Sequence, residues 1–254
     1  SGVVYVKQSG AGTKTGDSWT NAAPELADVL VAAKNNTSIQ QIWVAGGTYK
    51  PLYRADNLSG ANANDRYNAF VLVKDVKVYG GFAGTETTLA NRNLSLIANA
   101  SILSGDLDHN DTQTNGVSTT INGSNAYHVL VTSGNAGTAE LNGFTVTGGK
   151  ADLSANINVN GNQLGQNNGA GMYNVSTSIV LSQLIFVGNT ANDGAAIYNI
   201  SSTPSIINST FKGNTANNAG GGIYNTNSWL SLKNNLFSGN KAAWGGAIFK
   251  DNGG

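Results

Sequence analysis

The phrase Gly220-Gly221-Gly222-Ile223-Tyr224-Asn225 occurs in four versions along this chain, and the other three begin at Gly169, Gly194 and Gly245. The four starts are separated by 25, 26 and 25 residues. Self-similarity at a short, fixed period is the signature of a solenoid, in which each repeat forms one coil and cannot bury its apolar face alone. The phrase therefore predicts a repeat fold.

A second phrase keeps the same period. Phe-x-Gly-Asn begins at Phe186, Phe211 and Phe237, each time 13 residues after the aromatic residue of a copy of the first phrase. Between the phrases, apolar residues alternate with polar ones, as at Ile179 and Leu181, which is strand spacing. Gly and Asn cluster between these runs and favour turns. Each coil of about 25 residues is thus expected to form two or three short strands joined by tight corners.

One such coil buries only a few side chains, worth about 1.5 to 3 kcal/mol each. Ordering its backbone costs about 1 to 2 kcal/mol per residue, so one coil alone cannot fold. Coils stacked about 4.8 Å apart pair their backbones in parallel and share a core. The handedness rule for parallel connections makes the winding right-handed. The predicted fold class is all-β: a right-handed parallel β-helix, that is, a single-stranded solenoid.

Stacking places equivalent residues above one another. We expect an aliphatic column, a phenylalanine column, a tyrosine stack at one corner and an amide ladder. In that order, their members are Met172, Ile197, Ile223 and Ile248; Phe186, Phe211 and Phe237; Tyr173, Tyr198 and Tyr224; and Asn189, Asn214 and Asn240. A further amide ladder is expected from Gln183, Asn208 and Asn234. Buried amides need partners, and an identical amide one coil away supplies both donor and acceptor.

Composition excludes several classes of function. The 254 residues include 14 basic and 14 acidic side chains, only 11% are charged, and there is no basic run, which argues against nucleic acid and anionic membranes as partners. The absence of Cys excludes disulfides and thiolate metal sites. No apolar run reaches the 18 or so residues of a membrane helix, so direct membrane insertion is not expected.

The N-terminal part is less regular than the repeats. A strand is expected over Val3–Lys7 and a helix over Asn21–Lys34, with Pro24 in its first turn and one apolar face that covers the first coil. Further strands are expected over Ile42–Tyr49, over Phe70–Phe82 with a bend at Lys74-Asp75, and over Ser101–Ser104, Tyr127–Ser133 and Glu140–Thr147.

One inserted segment interrupts the repeats. Val146-Thr147-Gly148-Gly149-Lys150-Ala151 aligns with Phe186 to Ala191 at a distance of 40 residues, one coil plus about 15. Asp152–Asn168 is therefore read as an insertion that protrudes. The predicted organisation is one β-helix domain over 1–254, divided into 1–41 (strand and capping helix), 42–150 (irregular coils), 151–168 (inserted loop) and 169–254 (regular coils). Further coils of a longer parent chain are expected to follow.

The chain resembles a known family. Gly245-Gly246-Ala247-Ile248, together with the three Phe-x-x-Asn phrases, is similar to the paired repeat motifs of the polymorphic outer membrane protein family, whose members are bacterial surface adhesins with β-helical passengers. The stretches Ile42 to Pro51, Val78 to Glu86 and Leu141 to Gly149 resemble right-handed β-helix proteins exported by environmental bacteria. The resemblance implies an extracellular or cell-surface location and an adhesive role.

A metal site is considered at Asp106, Asp108, Asn110 and Asp111, because oxygen ligands at alternating positions suit Ca²⁺. The match to a calcium loop then fails, since Asp111 replaces the expected Gly and Val117 stands where a bidentate Glu belongs. The alternative is a polar corner stabilised by Asx turns. No other cofactor is expected, and His109 and His128 are read as ordinary surface or corner residues.

Exposed aromatic residues are the candidate ligand contacts. Trp229 and Trp244 do not fall in a core column, and flat rings on a rigid stack can hold the faces of sugars. The alternative is that both rings are partly buried against the next coil. Tyr53, Arg54 and Tyr67 on the long loop Lys50–Asn68 form a second candidate patch.

The preferred function is a non-catalytic extracellular or surface module for adhesion or for binding a glycan or a surface protein. The alternative is a carbohydrate-active enzyme, a polysaccharide lyase or glycoside hydrolase, with its site among the loops Lys50–Asn68, Leu107–Asn125 and Asp152–Asn168. Such an enzyme needs acids and a base or cation on one face. From Glu140 onward the chain has four acidic residues and neither Arg nor His, so any catalytic site must use the N-terminal loops.

Overall fold

Three parallel sheets organise the chain in the computed structural model, which describes residues 2–251. The first sheet has seven strands, and the second and third have six each. A shorter three-stranded parallel sheet lies between the second and the third along the chain. The all-β class, the parallel pairing and the single α-helix agree with the sequence prediction.

The first sheet contains Val3–Val6, Gln41–Ala45, Lys77–Phe82, Glu140–Asn142, Val180–Ser182, Ser205–Ile207 and Ser231–Lys233. The second contains Gly47–Tyr49, Ser101–Ser104, Phe144–Thr147, Ile185–Val187, Thr210–Lys212 and Leu236–Ser238. The third contains Phe70–Val71, Leu130–Ser133, Met172–Val175, Ile197–Ile200, Ile223–Thr226 and Ile248–Lys250. The short sheet contains Lys150–Ala151, Thr190–Asp193 and Thr215–Ala219.

The remaining elements are two antiparallel hairpins and four helical segments. The hairpins are Thr112–Thr114 with Val117–Thr120, and Asn156–Val159 with Asn162–Gly165. The helical segments are the α-helix Leu26–Asn35 and the 3₁₀ turns Trp19–Asn21, Leu89–Asn91 and Ile97–Asn99.

The chain visits the first, second and third sheets in that order and then returns to the first. We call one such passage a winding. Successive windings pair in register, so that Phe186 lies opposite Phe211 and Phe211 opposite Phe237. Their ring centroids are 5.2 and 4.6 Å apart, with interplanar angles of 4° and 6°. The phenylalanine column is confirmed.

The aliphatic column is confirmed, and the tyrosines stack as predicted, but they lie within strands of the third sheet and not at a corner. The backbone register aligns Met172, Ile197, Ile223 and Ile248. The rings of Tyr173, Tyr198 and Tyr224 follow one another at centroid distances of 5.0 Å. Because stacked rings turn their faces to each other, this tyrosine stack presents ring edges to its surroundings.

Two predicted long strands are each divided between sheets. The strand expected over Ile42–Tyr49 ends at Ala45 in the first sheet, and a new strand begins at Gly47 in the second. The strand expected over Glu140–Thr147 is divided at Gly143, which has a φ of 80°. A Cβ at Gly143 would lie 2.9 Å from the Gly80 carbonyl oxygen, so this corner requires glycine. The apolar spacing lengthens to three residues between Leu141 and Phe144, and this shift marks the corner in the sequence.

The helix begins later than expected, at Leu26 rather than Asn21. Residues before it extend the first sheet instead, because Ala23 donates its N–H to the Tyr5 oxygen at 2.8 Å and accepts from Lys7 at 2.9 Å. The predicted apolar face is buried: Leu26, Val29, Leu30 and Ala33 join the main core, which continues through the windings to Ile223.

The insertion does not protrude, and that expectation was wrong. Its hairpin packs on the outer face of the third sheet, where Ile157, Val159 and Leu164 are 7%, 2% and 0% exposed. They form one cluster with Val131 and Tyr173 of that sheet. Packing on the sheet removes the three apolar side chains from water. This burial is favourable and holds the loop against the sheet.

Of the two expected amide ladders, one is confirmed and one is wrong. Asn189 Nδ2 donates to Asn214 Oδ1 at 3.0 Å, and Asn214 Nδ2 donates to Asn240 Oδ1 at 2.9 Å. Gln183, Asn208 and Asn234 instead occupy exposed corners with φ of 53°, 51° and 54°. These residues are used for their tolerance of the left-handed conformation rather than for an amide bond.

Candidate functional site

Trp229 and Trp244 are the most exposed tryptophans of the described chain. They are 72% and 66% exposed among residues 2–251. Trp229 lies at the corner between the third and first sheets, and its backbone N–H donates to the Ser202 carbonyl oxygen at 3.0 Å. Trp244 lies between the second and third sheets, and its backbone N–H donates to the Asn218 carbonyl oxygen at 2.9 Å. The rings thus stand on fixed backbone at different corners.

Among residues 2–251, Trp229 is the only tryptophan with a charged group over its ring. Lys250 Nζ lies 5.8 Å from the ring centroid, within the range of a cation–π interaction. The remaining tryptophans are used for packing, since Trp43 is 6% exposed and stacks on Phe82, and Trp19 contacts the same Phe82 ring. A binding role for Trp229 and Trp244 stays a prediction that their exposure permits.

The second candidate patch is only partly assembled. The Arg54 guanidinium lies 4.3 Å from the centroid of the Tyr67 ring. Arg54 also pairs with Asp56 at 2.8 Å and with Asp65 at 3.3 Å, and the hydrogen bond to Asp56 raises its pKa. Tyr53 is directed away, because its hydroxyl donates to Asp28 of the helix at 2.6 Å. Arg54 and Tyr67 therefore form a unit that Tyr53 does not join.

Three loops named for a possible enzyme meet at Arg66. Its Nη2 lies 2.7 Å from Asp152 Oδ1, and its Nε donates to the Asn125 oxygen at 2.6 Å. Its guanidinium also lies 4.2 Å from the Tyr127 ring centroid. Lys150 Nζ lies 3.7 Å from Asp152, so two cations neutralise this carboxylate. The junction fastens the three loops together and holds Asp152 in ion pairs with two cations.

The aspartates of the proposed calcium loop accept hydrogen bonds from their own segment. Asp106 is fully buried and accepts from the Asn110 N–H at 3.2 Å and from Gln113 Nε2 at 2.8 Å. Asp108 accepts from Asn110 Nδ2 at 3.0 Å. Asp111 accepts from Ser118 Oγ at 2.6 Å. These bonds produce the polar corner that the sequence offered as the alternative to Ca²⁺.

Lys50 supplies positive charge to the same corner. Burial lowers the pKa of its ammonium, while Asp106, Asp108 and Asp111 raise it in part. Within residues 2–251, no group of three or more His, Asp or Glu side chains is arranged to hold a metal ion. Ca²⁺ binding and a polar corner without an ion stay the two alternatives for this loop.

His128 is not a surface residue, which corrects the sequence reading. It is 2% exposed, its Nδ1 lies 3.0 Å from the Gly169 oxygen, and its ring contacts Tyr173. Burial lowers the pKa of the imidazole to about 4. His128 lies just before the third-sheet strand Leu130–Ser133. The inserted hairpin packs on this strand and on the next one in the sheet. Because the hairpin was expected to protrude, this burial was not predicted.

Sequence reasoning also missed a buried amide ladder at the end of the third-sheet strands. Asn174 Nδ2 donates to Asn199 Oδ1 at 2.8 Å, and Asn199 Nδ2 donates to Asn225 Oδ1 at 3.3 Å. All three side chains are buried. The signal was present, because each is the Asn that closes a copy of the repeated phrase.

The fold and the sites define a class of protein, namely a repeat protein of in-register parallel windings with exposed aromatic residues at its corners. Within that class, the family model of the Chlamydia polymorphic membrane protein repeat matches residues 183–200, 208–226 and 236–250. The resemblance read from the sequence is thereby confirmed for these repeats. It supports, coarsely, a bacterial outer-membrane or surface protein.

No curated protein and no solved structure matches the chain. Among the residues that the structure describes, no helix has the length and apolar character needed to cross a membrane.

Proposed function

We propose that the chain is a right-handed parallel β-helix displayed on a bacterial surface, where it acts as a non-catalytic module for adhesion. The proposal is supported by the fixed order in which the chain visits the three sheets and by the in-register pairing of successive windings. The hand follows from the near-universal right-handedness of parallel crossover connections. The repeat match supports the surface location.

The observation that carries the binding role is the exposure of Trp229 and Trp244. Large aromatic rings are normally covered, and exposed ones are enriched at recognition sites. The Tyr198 and Tyr224 rings of the tyrosine stack are nearly parallel, at 12°, so they cover each other's faces. The exposed indoles are therefore the flat surfaces best suited to a sugar face or to a protein partner.

A binding assay with matched variants tests this role. The chain is immobilised and presented to a glycan array and to intact host or bacterial cells, alongside the single variants Trp229→Ala and Trp244→Ala. Ile97→Ala is the control, because Ile97 is 73% exposed and lies outside both corners. We expect at least one tryptophan variant to lose about 30-fold in affinity, as for an interface hot spot of about 2 kcal/mol, and the control to bind normally.

Equal binding by both tryptophan variants and the control would refute the proposed contact residues. The rival enzyme is tested on the same glycans by assays for lyase products and reducing sugars. Release of either product, lost in Asp152→Asn, would replace the adhesive module with a carbohydrate-active enzyme at the Arg66 junction.

A further inference from the structure

A cavity of about 720 Å³ opens where the helix ends and where the third sheet turns into the first. Its walls come from Ala33 to Gln41, from Val71 to Lys77, from Thr132 to Thr138 and from Asn160 at the tip of the inserted hairpin. This volume lies within the range of small-molecule sites, about 300 to 1,000 Å³. Neither Trp229 nor Trp244 contributes to it, so it is separate from the adhesive surface proposed above.

A buried hydroxyl without a partner lines this cavity. Thr132 is 2% exposed, and its Oγ1 has no hydrogen-bond partner among residues 2–251. The side chain faces inward, because Thr132 lies in register with the fully buried Asn174 of the next winding. A buried polar group that lacks a partner costs about 1 to 3 kcal/mol. Such a group at the wall of a cavity is a candidate ligand contact.

The neighbouring winding provides a second atom of the same kind. Asn174 Nδ2 donates forward along the amide ladder to Asn199, so its Oδ1 is directed back toward the winding of Thr132. Asn174 Oδ1 likewise has no partner in the described chain. Asn174 does not line the cavity, so the Thr132 hydroxyl is the group of this pair that a ligand there can meet. That hydroxyl can donate or accept, so it can pair in either direction with a hydroxyl of a sugar.

The mouth of the cavity carries an excess of positive charge. Lys34, Lys74 and Lys77 line it, against the single acid Asp75. Asp75 is already engaged, since it lies 3.6 Å from Lys74 Nζ and accepts from the Thr138 N–H at 2.8 Å. Within residues 2–251, neither Lys34 nor Lys77 is engaged in an ion pair. A carboxylate on the ligand would complement these lysines.

We infer that this cavity binds a small acidic sugar of the size of one or two uronic acid residues. One sugar hydroxyl pairs with Thr132 Oγ1. The carboxylate lies at the mouth near Lys34 and Lys77, and the C–H faces of the ring pack on Ile39, Val71 and Val76 of the wall. The inference goes beyond the adhesive role and does not depend on either exposed tryptophan.

Calorimetry on the whole chain tests the inference, with glucuronic acid and glucose as probes at millimolar concentration. Thr132→Val removes the hydroxyl with little change of shape and breaks no existing hydrogen bond, so the fold is retained. Thr177→Val is the matched control, because Thr177 is 4% exposed, its Oγ1 also lacks a partner, and it does not line the cavity. Thermal melting checks that both variants fold.

We expect glucuronic acid to bind more tightly than glucose, and added salt to reduce that difference by screening the lysines. Thr132→Val should weaken binding about tenfold, the loss of one hydrogen bond to a buried group, while Thr177→Val should bind normally. Lys34→Ala, at an exposed position, should weaken glucuronic acid and leave glucose unaffected. Trp229→Ala should change none of these values.

Three outcomes would overturn the inference. They are absence of binding by both sugars, equal affinity of glucose and glucuronic acid, and equal effects of Thr132→Val and Thr177→Val. None of them bears on the tryptophans, whose failure would appear only in the adhesion assay.

Discussion

The windings after residue 169 and those between residues 42 and 150 satisfy their buried polar groups differently. In the later windings an amide meets an identical amide, as in the ladder from Asn189 to Asn240. In the part of the chain that the structure describes, all nine buried side-chain atoms without a hydrogen-bond partner belong to residues from Lys50 to Thr177. The last two, Asn174 and Thr177, belong to the winding that faces the irregular part.

This difference has a physical cause. An identical neighbour offers a complementary group at the same height and register, so repetition solves the pairing of polar groups automatically. Where the neighbour has a different sequence, as Thr132 has beside Asn174, the pairing fails. Regular windings therefore form a scaffold whose buried polar groups are paired. Irregular windings leave cavities and unpaired polar groups, to which ligands can bind.

The amide ladder gives the largest expected effect. Asn214 is fully buried, accepts from Asn189 Nδ2, and donates to the Phe186 oxygen at 2.9 Å and to Asn240. Asn214→Ala leaves several buried groups without partners. At about 1 to 3 kcal/mol for each such group, we expect the free energy of unfolding to fall by about 4 kcal/mol in chemical denaturation.

Asn208→Gly is the matched control for the ladder. Asn208 is also an asparagine of the repeat, but it is exposed and has a φ of 51°, which glycine adopts readily. Its replacement should change the free energy of unfolding by less than about 0.5 kcal/mol. If Asn208→Gly costs as much as Asn214→Ala, the ladder is not the source of the stability.

The inserted hairpin gives the next effect. Leu164 is fully buried against the third sheet, so Leu164→Ala should cost about 3 kcal/mol. Because the hairpin is a local addition to the scaffold, we expect this loss as local opening, with proteolysis within residues 152–168 accelerated by about 100-fold. Leu96→Ala, at a position that is 52% exposed, should leave the rate unchanged. If Leu164→Ala is cleaved at the wild-type rate, the packed hairpin is contradicted and a protruding loop is supported.

Buried His128 gives a smaller, pH-dependent effect. Its pKa is lowered from 6.5 to about 4, so the unfolded chain binds a proton more readily than the folded chain between these values. Stability is therefore lost as the pH falls below 6.5, and the loss from this group is complete near pH 4. We expect the free energy of unfolding to be about 2 kcal/mol lower at pH 5 than at pH 7.

Denaturation of two variants isolates the contribution of His128. His128→Gln should remove most of the difference between pH 5 and pH 7, whereas His109→Gln should retain it, because His109 is exposed. A pH dependence that is unchanged in His128→Gln would assign it to other groups.

The smallest effect is expected for Ca²⁺. Asp106, Asp108 and Asp111 already accept hydrogen bonds, and Lys50 contributes positive charge nearby. Millimolar Ca²⁺ should therefore produce no heat in calorimetry and no change in melting temperature. A measurable heat with a higher melting temperature would show that the loop rearranges to bind the ion.

Prediction from the sequence succeeded where the chain repeats. A period of 25 or 26 residues fixes which residues lie above one another, so the columns through Phe211 and Ile223 followed without a structure. Prediction failed where the meaning of a residue depends on its partner across the fold. Gln183 and Asn208 look like ladder residues by type, but their left-handed backbone makes them corners.

The candidate site was predictable only in its exposed parts. Trp229 and Trp244 interrupt a periodic pattern, which is visible in the sequence. The burial of His128 and the cavity beside Thr132 depend on where a helix ends and where an insertion folds back, and neither is a periodic property. The insertion in particular was misjudged, because its apolar residues could be recognised but the sheet face that receives them could not.

The most direct test of in-register winding is a nuclear Overhauser experiment on the protein labelled only at its seven phenylalanines. The structure predicts contacts between the rings of Phe186 and Phe211 and between those of Phe211 and Phe237, residues 25 and 26 positions apart. It predicts none between Phe186 and Phe237, which lie two windings, roughly 10 Å, apart. Absence of the first two contacts, or presence of the third, would contradict the stacked windings.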